Sequence, residues 1–152
     1  MQVIYPPNPL PYQNSTKKIF LAGSIDMGKA EDWQQKIIDA LSSKSVIILN
    51  PRRTNWDNSW IQSIENQLFK EQVMWELNGL ELADLIIYYF APTSQAPITM
   101  LELGLYANSK KIVVCCPDGF WRKGNIDIVC KKYNITIKNN LDELIAYLQN
   151  FE

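Results

Sequence analysis

Asp84-Leu85-Ile86-Ile87-Tyr88-Tyr89-Phe90 is the stretch on which the fold turns. After one acidic residue it is apolar or aromatic at every position, with no polar alternation. A strand with one wet face alternates, whereas a strand covered by helices on both faces reads as a continuous apolar run. This is the pattern of a central parallel strand.

On its amino-terminal side a long helix is predicted, with Ile61, Ile64, Leu68 and Trp75 on one stripe and Leu82 near its end. Before it, Val46-Ile47-Ile48-Leu49 reads as a strand stopped by Asn50-Pro51. A helix over residues 29–42 is predicted from Trp33, Ile37, Ile38 and Leu41 at helical spacing. Lys18-Ile19-Phe20-Leu21-Ala22, ending at Gly23, suits a buried strand. On the carboxyl-terminal side, a helix runs through Glu102 to Ala107 after Pro97, and residues 111–116 form a strand. A helical or loop segment over 120–132, a short strand over 135–137 and a closing helix over 141–148 complete the pattern.

Strand and helix alternate throughout. The expected fold is α/β: one doubly wound domain, with a mainly parallel five-stranded sheet and helices on both faces, flavodoxin- or Rossmann-like. Residues 1–17 carry Pro6, Pro7, Pro9 and Pro11 and read as an extended arm before a domain over 18–152. In such sheets ligands bind beyond the carboxyl ends of the strands. That rule selects residues 23–28, 50–60, 91–102 and 117–127.

Composition narrows the chemistry. The chain has 152 residues, is 47% hydrophobic and 20% charged, and carries a formal charge of -1, so nothing favours a nucleic-acid polymer or an acidic membrane. Arg52-Arg53 is basic enough only for a small anion. No apolar run approaches the ~20 residues of a membrane span. Met1 to Pro11 lacks the basic-then-apolar pattern of a secretion signal, and cytoplasmic residence is the expectation. Three cysteines, two adjacent in a strand, read as buried thiols. There is no histidine. Serine or cysteine nucleophiles activated by histidine, and imidazole metal sites, are therefore absent from this chain. Acid-base and nucleophilic work falls to carboxylates, lysine, tyrosine, serine or thiol.

Four places carry the candidate groups. Gly23-Ser24-Ile25-Asp26-Met27-Gly28 follows the first buried strand, where glycine lets backbone amides approach a phosphate or hydroxyl. It lacks the full dinucleotide and P-loop signatures, and a turn that simply needs glycine stays an equal reading. Trp56 and Asp57 lie in a polar loop, where an indole can stack on a flat base and a carboxylate can read its edge, with Asp57 as a helix cap the competing reading. Glu76, with Gln72 one turn earlier, borders the apolar stripe of the long helix and taken alone reads as a solvated glutamate. Glu102 is the only charged residue between Asp84 and Lys110, so its carboxyl is expected to be partly desolvated. A Thr99-x-x-Glu102 capping box competes, but Pro97 at the helix start makes Thr99 a poor cap.

Together these pieces resemble the nucleoside 2-deoxyribosyltransferase family. The matches are Ile19-Phe20-Leu21-Ala22-Gly23, Glu76-Leu77-Asn78-Gly79-Leu80, Glu102-Leu103-Gly104-Leu105 and Asn125 after Lys123-Gly124, spread in order over residues 18–130. The resemblance implies transfer of 2-deoxyribose between nucleobases, with Glu102 as nucleophile and Glu76 as a second site carboxylate where an aspartate is more familiar. It implies that Asn125 reaches a neighbouring subunit's pocket to hold the sugar 5'-hydroxyl, and hence a homo-oligomer with sites near its interfaces. A tyrosine that orients the nucleophile in some members is Phe20 here. A base-contacting aspartate expected between Phe90 and Glu102 is absent, and Asp57 is its expected substitute. Gly23 and Ser24 also resemble the turn of deoxynucleoside monophosphate N-glycosidases, where the serine contacts the 5'-phosphate. The expected substrates are a deoxynucleoside or deoxynucleotide and a free base, with no metal or organic cofactor. Hydrolysis of the same bond, or nucleotide sensing without turnover, are the alternatives.

Overall fold

The computed structural model describes residues 1–24, 32–53, 57 and 59–151. Along these residues run β1 (Gln2–Ile4), β2 (Lys18–Gly23), α1 (Trp33–Ala40), β3 (Ile47–Leu49), α2 (Gln67–Leu82) and β4 (Leu85–Tyr89). There follow α3 (Pro97–Tyr106), β5 (Ile112–Cys115), α4 (Lys123–Tyr133), β6 (Thr136–Lys138) and α5 (Leu141–Gln149). The strands form one sheet in the order β1-β3-β2-β4-β5-β6, with every neighbouring pair parallel.

The period of two along each strand separates two cores. Phe20 and Ala22 of β2, Ile86, Tyr88 and Phe90 of β4 and its extension, and Val114 of β5 face one side with Trp75, Leu80, Leu103 and Ile126. Ile19, Leu21, Ile87, Tyr89 and Val113 face the other with Trp33, Ile37, Leu144 and Leu148. Thus α2, α3 and α4 cover one face, and α1 and α5 the other. The doubly wound expectation holds.

The sheet has six strands rather than five. The additional strand comes from the proline-rich arm, where Gln2, Val3 and Ile4 pair with Ile47, Ile48 and Leu49 at the sheet edge. Three residues before a run of prolines carry too little periodicity to be seen in sequence. The stripe predicted for the long helix is also corrected. α2 starts at Gln67, because the Asn66 side chain accepts the Phe69 amide at 3.1 Å as an N-cap. Ile61 and Ile64 precede the helix and are exposed, as is Leu68 within its first turn. At the other end of α2, the Lys111 ammonium donates to the carbonyls of Leu80, Glu81 and Ala83 at 2.8–3.0 Å. A cation on these orphan carbonyls complements the helix dipole and fixes the end of α2 against β5.

Two glycines allow close approaches near the site. A Cβ on Gly23 would stand 2.6 Å from the Tyr89 carbonyl oxygen and 2.8 Å from the Trp33 ring. A Cβ on Gly79 would stand 2.7 Å from the Phe20 ring. The first brings β2 and β4 together at their carboxyl ends, and the second lets α2 sit down on β2.

Candidate active site

β2 is followed in sequence by β3 on one side, while its other neighbour is β4, so the chain reverses its winding direction between β2 and β4. The carboxyl ends of these two strands are therefore the topological switch point, where ligands bind in such sheets. Gly23 and Ser24 end β2 there. The Ser24 amide donates to the Tyr89 carbonyl at 3.0 Å, its hydroxyl accepts the Ala91 amide at 3.2 Å, and its carbonyl accepts the Trp33 indole N–H at 3.1 Å. Ser24 is buried and laces β2, β4 and α1 together. Its hydroxyl serves the strand ends in this structure.

Glu102 lies in the second turn of α3. The helix starts at Pro97, after Ala96 in the left-handed region (φ 45°), and has no side-chain cap. The capping box is therefore not formed, and the Glu102 carboxyl is not engaged at the helix start. The side chain is only 8% exposed. Burial, and then the charge of Glu76, push its pKa up to about 8. In a poorly solvated place the neutral acid is favoured, and a second carboxylate nearby disfavours the charged form further.

Glu76 is the other half of this pair. It is half-buried, and burial raises its pKa, opposed by a hydrogen bond from Gln72. The Gln72 amide donates to Glu76 Oε1 at 2.7 Å and to the Pro51 carbonyl at 3.0 Å. Gln72 thus ties Glu76 to the segment leaving β3. The solvated-helix reading of Glu76 fails because α2 faces this segment and α3 at once. Tyr106 of α3 donates to the Leu77 carbonyl of α2 at 3.4 Å, which joins the two helices that carry the carboxyls.

The remaining candidates stand apart from the pair. Asp57 is exposed, and its carboxylate accepts the Ser59 amide at 2.8 Å, which with the Ser59 hydroxyl holds its pKa below the ordinary value. It is an ionised surface group. Trp56 lies outside the described residues. Asn125 is exposed in the first turn of α4, on the side away from the core. Arg52 pairs with Asp32 at 2.7 Å, and the Arg53 guanidinium lies 5.0 Å from the Trp60 ring centroid. The three cysteines are buried free thiols, with pKa values raised by burial to about 11 or 12. They are poor nucleophiles, as expected of core thiols.

Sequence reasoning missed Tyr88 and Tyr106. Both feel the Glu102 charge, and burial raises the pKa of each. A tyrosine inside an apolar strand gives no separate signal, because its ring satisfies the hydrophobic pattern whatever its hydroxyl does.

The raised Glu102 pKa makes a stability prediction with a definite sign. An acid that titrates near 4.5 unfolded and near 8 folded binds its proton more tightly in the folded state. Its stabilising contribution is complete below about pH 4.5 and is lost as pH rises toward 8. Glu102→Gln removes that loss. Its melting temperature relative to the parent should rise by about 3 °C or more between about pH 5 and about pH 8, measured by thermal unfolding. Parallel curves for the two proteins would show that Glu102 is not perturbed in the fold.

Comparison with known proteins agrees with this architecture. A conserved protein from Enterococcus faecalis V583, known from its crystal structure, superposes with a TM-score of 0.61 at 14% identity, over 87% of this chain and 96% of that one. At that identity the likeness establishes the fold. No curated protein matches the chain. The family model described as nucleoside 2-deoxyribosyltransferase like matches residues 16–120, a span that contains Gly23, Ser24, Glu76, Tyr88 and Glu102 and stops before Asn125. With more than half its length matched, this chain belongs to the nucleoside 2-deoxyribosyltransferase-like family.

Proposed function

We propose that the protein transfers 2-deoxyribose between nucleobases, with Glu102 as the nucleophile that carries the sugar. The observation that supports this most strongly is the desolvated Glu102–Glu76 pair beside the switch point of the sheet. The charge of Glu76 disfavours ionisation of Glu102, so over a range of pH the pair carries one charge and one proton. The reactive form of that state is the one in which the proton has passed from Glu102 to Glu76, against the resting preference for a neutral Glu102. The ionised Glu102 attacks C1' of the deoxynucleoside, and the bond from C1' to the base nitrogen breaks through an oxocarbenium-like transition state. The bonding pair leaves with the base, which takes the proton held by Glu76. In the second half, Glu76 recovers a proton from an incoming base. That base displaces Glu102 from C1', and two inversions give net retention.

Around this pair, the Gly23–Ser24 turn shapes the floor on which the sugar and its 5' group rest. Asp57, ionised and open to water, is proposed as a contact for the polar edge of the base rather than as an acid or base. Trp56 is proposed to stack on that base. The proposed assembly is a homo-oligomer. Ile98, Leu101 and Leu105 stand one and two turns apart on α3 and are each about 60% exposed, while Trp121 and Ile128 are exposed on α4. Such a stripe on the helix that carries the nucleophile supports a subunit contact, and Asn125 shares the exposed side of α4 with Ile128. Among the described residues no helix is long and apolar enough to cross a membrane.

Base exchange tests the activity directly. Incubation with a deoxynucleoside and a second free base should give the exchanged nucleoside, and Glu102→Gln or Glu102→Ala should lower the rate about 10³-fold or more. Exchange retained in either variant ends the proposal. Free base and free deoxyribose without exchange would mean that water is the acceptor and the protein a hydrolase; binding without turnover would make it a sensor. The assembly is tested by light scattering on a sizing column. The parent should elute as an oligomer and Leu101→Glu as a smaller species, and a monomeric parent would refute the contact.

A further inference from the structure

Tyr88 is the fourth of the five residues of β4, opposite Ala22 of β2 and Val114 of β5. All three belong to the core under α2, α3 and α4. Phe20, two residues earlier on the same face of β2, packs its ring against Trp75 and under Gly79. The side chain of Tyr88 is fully buried.

Its hydroxyl has no hydrogen-bond partner among the described residues. Buried hydroxyls are costly to leave unpaired, so such an atom in a native core calls for a partner. Two other buried side-chain atoms among the described residues share this condition, Gln34 Nε2 and Gln72 Oε1. Gln34 belongs to α1 on the opposite face of the sheet, and Gln72 Oε1 can only accept. On the face that carries the carboxyl pair, the Tyr88 O–H is the donor left over. The Gln72 amide is committed to Pro51 and Glu76, and the Tyr106 hydroxyl to Leu77.

Glu102 has the opposite need. To attack it must be charged, and a charged carboxylate in this environment requires a donor. Burial and Glu76 both oppose its ionisation, and no hydrogen bond among the described residues offsets them. We infer that Tyr88 is the positioning residue of the nucleophile, its buried hydroxyl turning to donate to the Glu102 carboxylate when that group ionises. The role deepens the reading of Glu102 as nucleophile and rests on it. Tyr88 acts through Glu102 and touches neither base nor sugar. The Glu102 charge already acts on the phenol, as does Tyr106, and together with burial they keep it protonated and able to donate. The titratable groups around Glu102 are then Glu76, Tyr88 and Tyr106, with Glu81 acting on Tyr106 from outside.

The test is Tyr88→Phe in the full chain, beside the parent and Glu102→Gln, with base exchange followed across pH and thermal unfolding measured on each. The substitution removes only the unpaired oxygen, so the melting temperature should hold or rise. The kcat should fall about 10–100-fold, the loss expected of a hydrogen bond to a charged group, with KM little changed. The acidic limb of kcat/KM should move to higher pH, because ionised Glu102 has lost its donor. A second measurement follows the Glu102 carboxyl by carbon-13 NMR, and its titration should move upward in Tyr88→Phe. Parental kcat and an unmoved limb, or a variant that loses stability along with activity, would overturn the assignment and leave Glu102 untouched. Retained exchange in Glu102→Gln would instead remove the nucleophile itself.

Discussion

Two carboxyl groups kept out of water on facing helices are the constraint from which the rest follows. A buried carboxylate is expensive, and a second one close by adds repulsion that bulk water would have screened. The fold spends specific contacts to keep them there. Gln72 holds Glu76 through Pro51, Tyr106 joins α3 to α2, and Lys111 pins the far end of α2. Each contact is a backbone carbonyl or carboxylate satisfied by a long polar side chain. None is an ion pair to either carboxyl. A cation beside Glu102 would lower its pKa and stabilise the charge permanently, which would also blunt its attack on carbon. Among the described residues neither carboxyl has a counter-ion.

The sheet supplies the location. Gly23 lets β2 and β4 approach within a distance that a methyl group would forbid, and Ser24 bridges their ends. That ties the hydrogen-bonding groups at the ends of β2 and β4 to one another. The carboxyls then stand on α2 and α3, one on each side of β4 in sequence. A right-handed crossover on the same face brings these two helices side by side. The two carboxyls come from different helices, and the parallel topology makes them neighbours.

Much of this was legible in the residues. The run from Asp84 to Phe90 announced a central strand because every position is apolar, and Glu102 announced itself because it is a lone charge in apolar sequence. Other features had no local signature. β1 is three residues long and gains its identity only from pairing with β3. The start of α2 is set by the Asn66 side chain, while Ile61 and Ile64 imitate a continuing stripe. Glu76 read as a solvated glutamate because its desolvation comes from Pro51 and α3, distant in sequence. Tyr88 read as core because a phenol and a phenyl ring satisfy the same pattern, and only the unpaired hydroxyl distinguishes them. Periodicity reports which side of an element is dry. It does not report which polar atoms on the dry side lack a partner.

The central claim is that the Glu102 carboxylate becomes bonded to C1' of the sugar. The most direct measurement is mass spectrometry of the protein after incubation with a 2'-fluoro deoxynucleoside analogue, whose electron-poor sugar slows breakdown of a glycosyl ester. The expected result is a mass increase equal to the fluorinated sugar, located by peptide sequencing at Glu102 and absent from Glu102→Gln. An adduct on another residue, or base release with no adduct formed at any time, would contradict it.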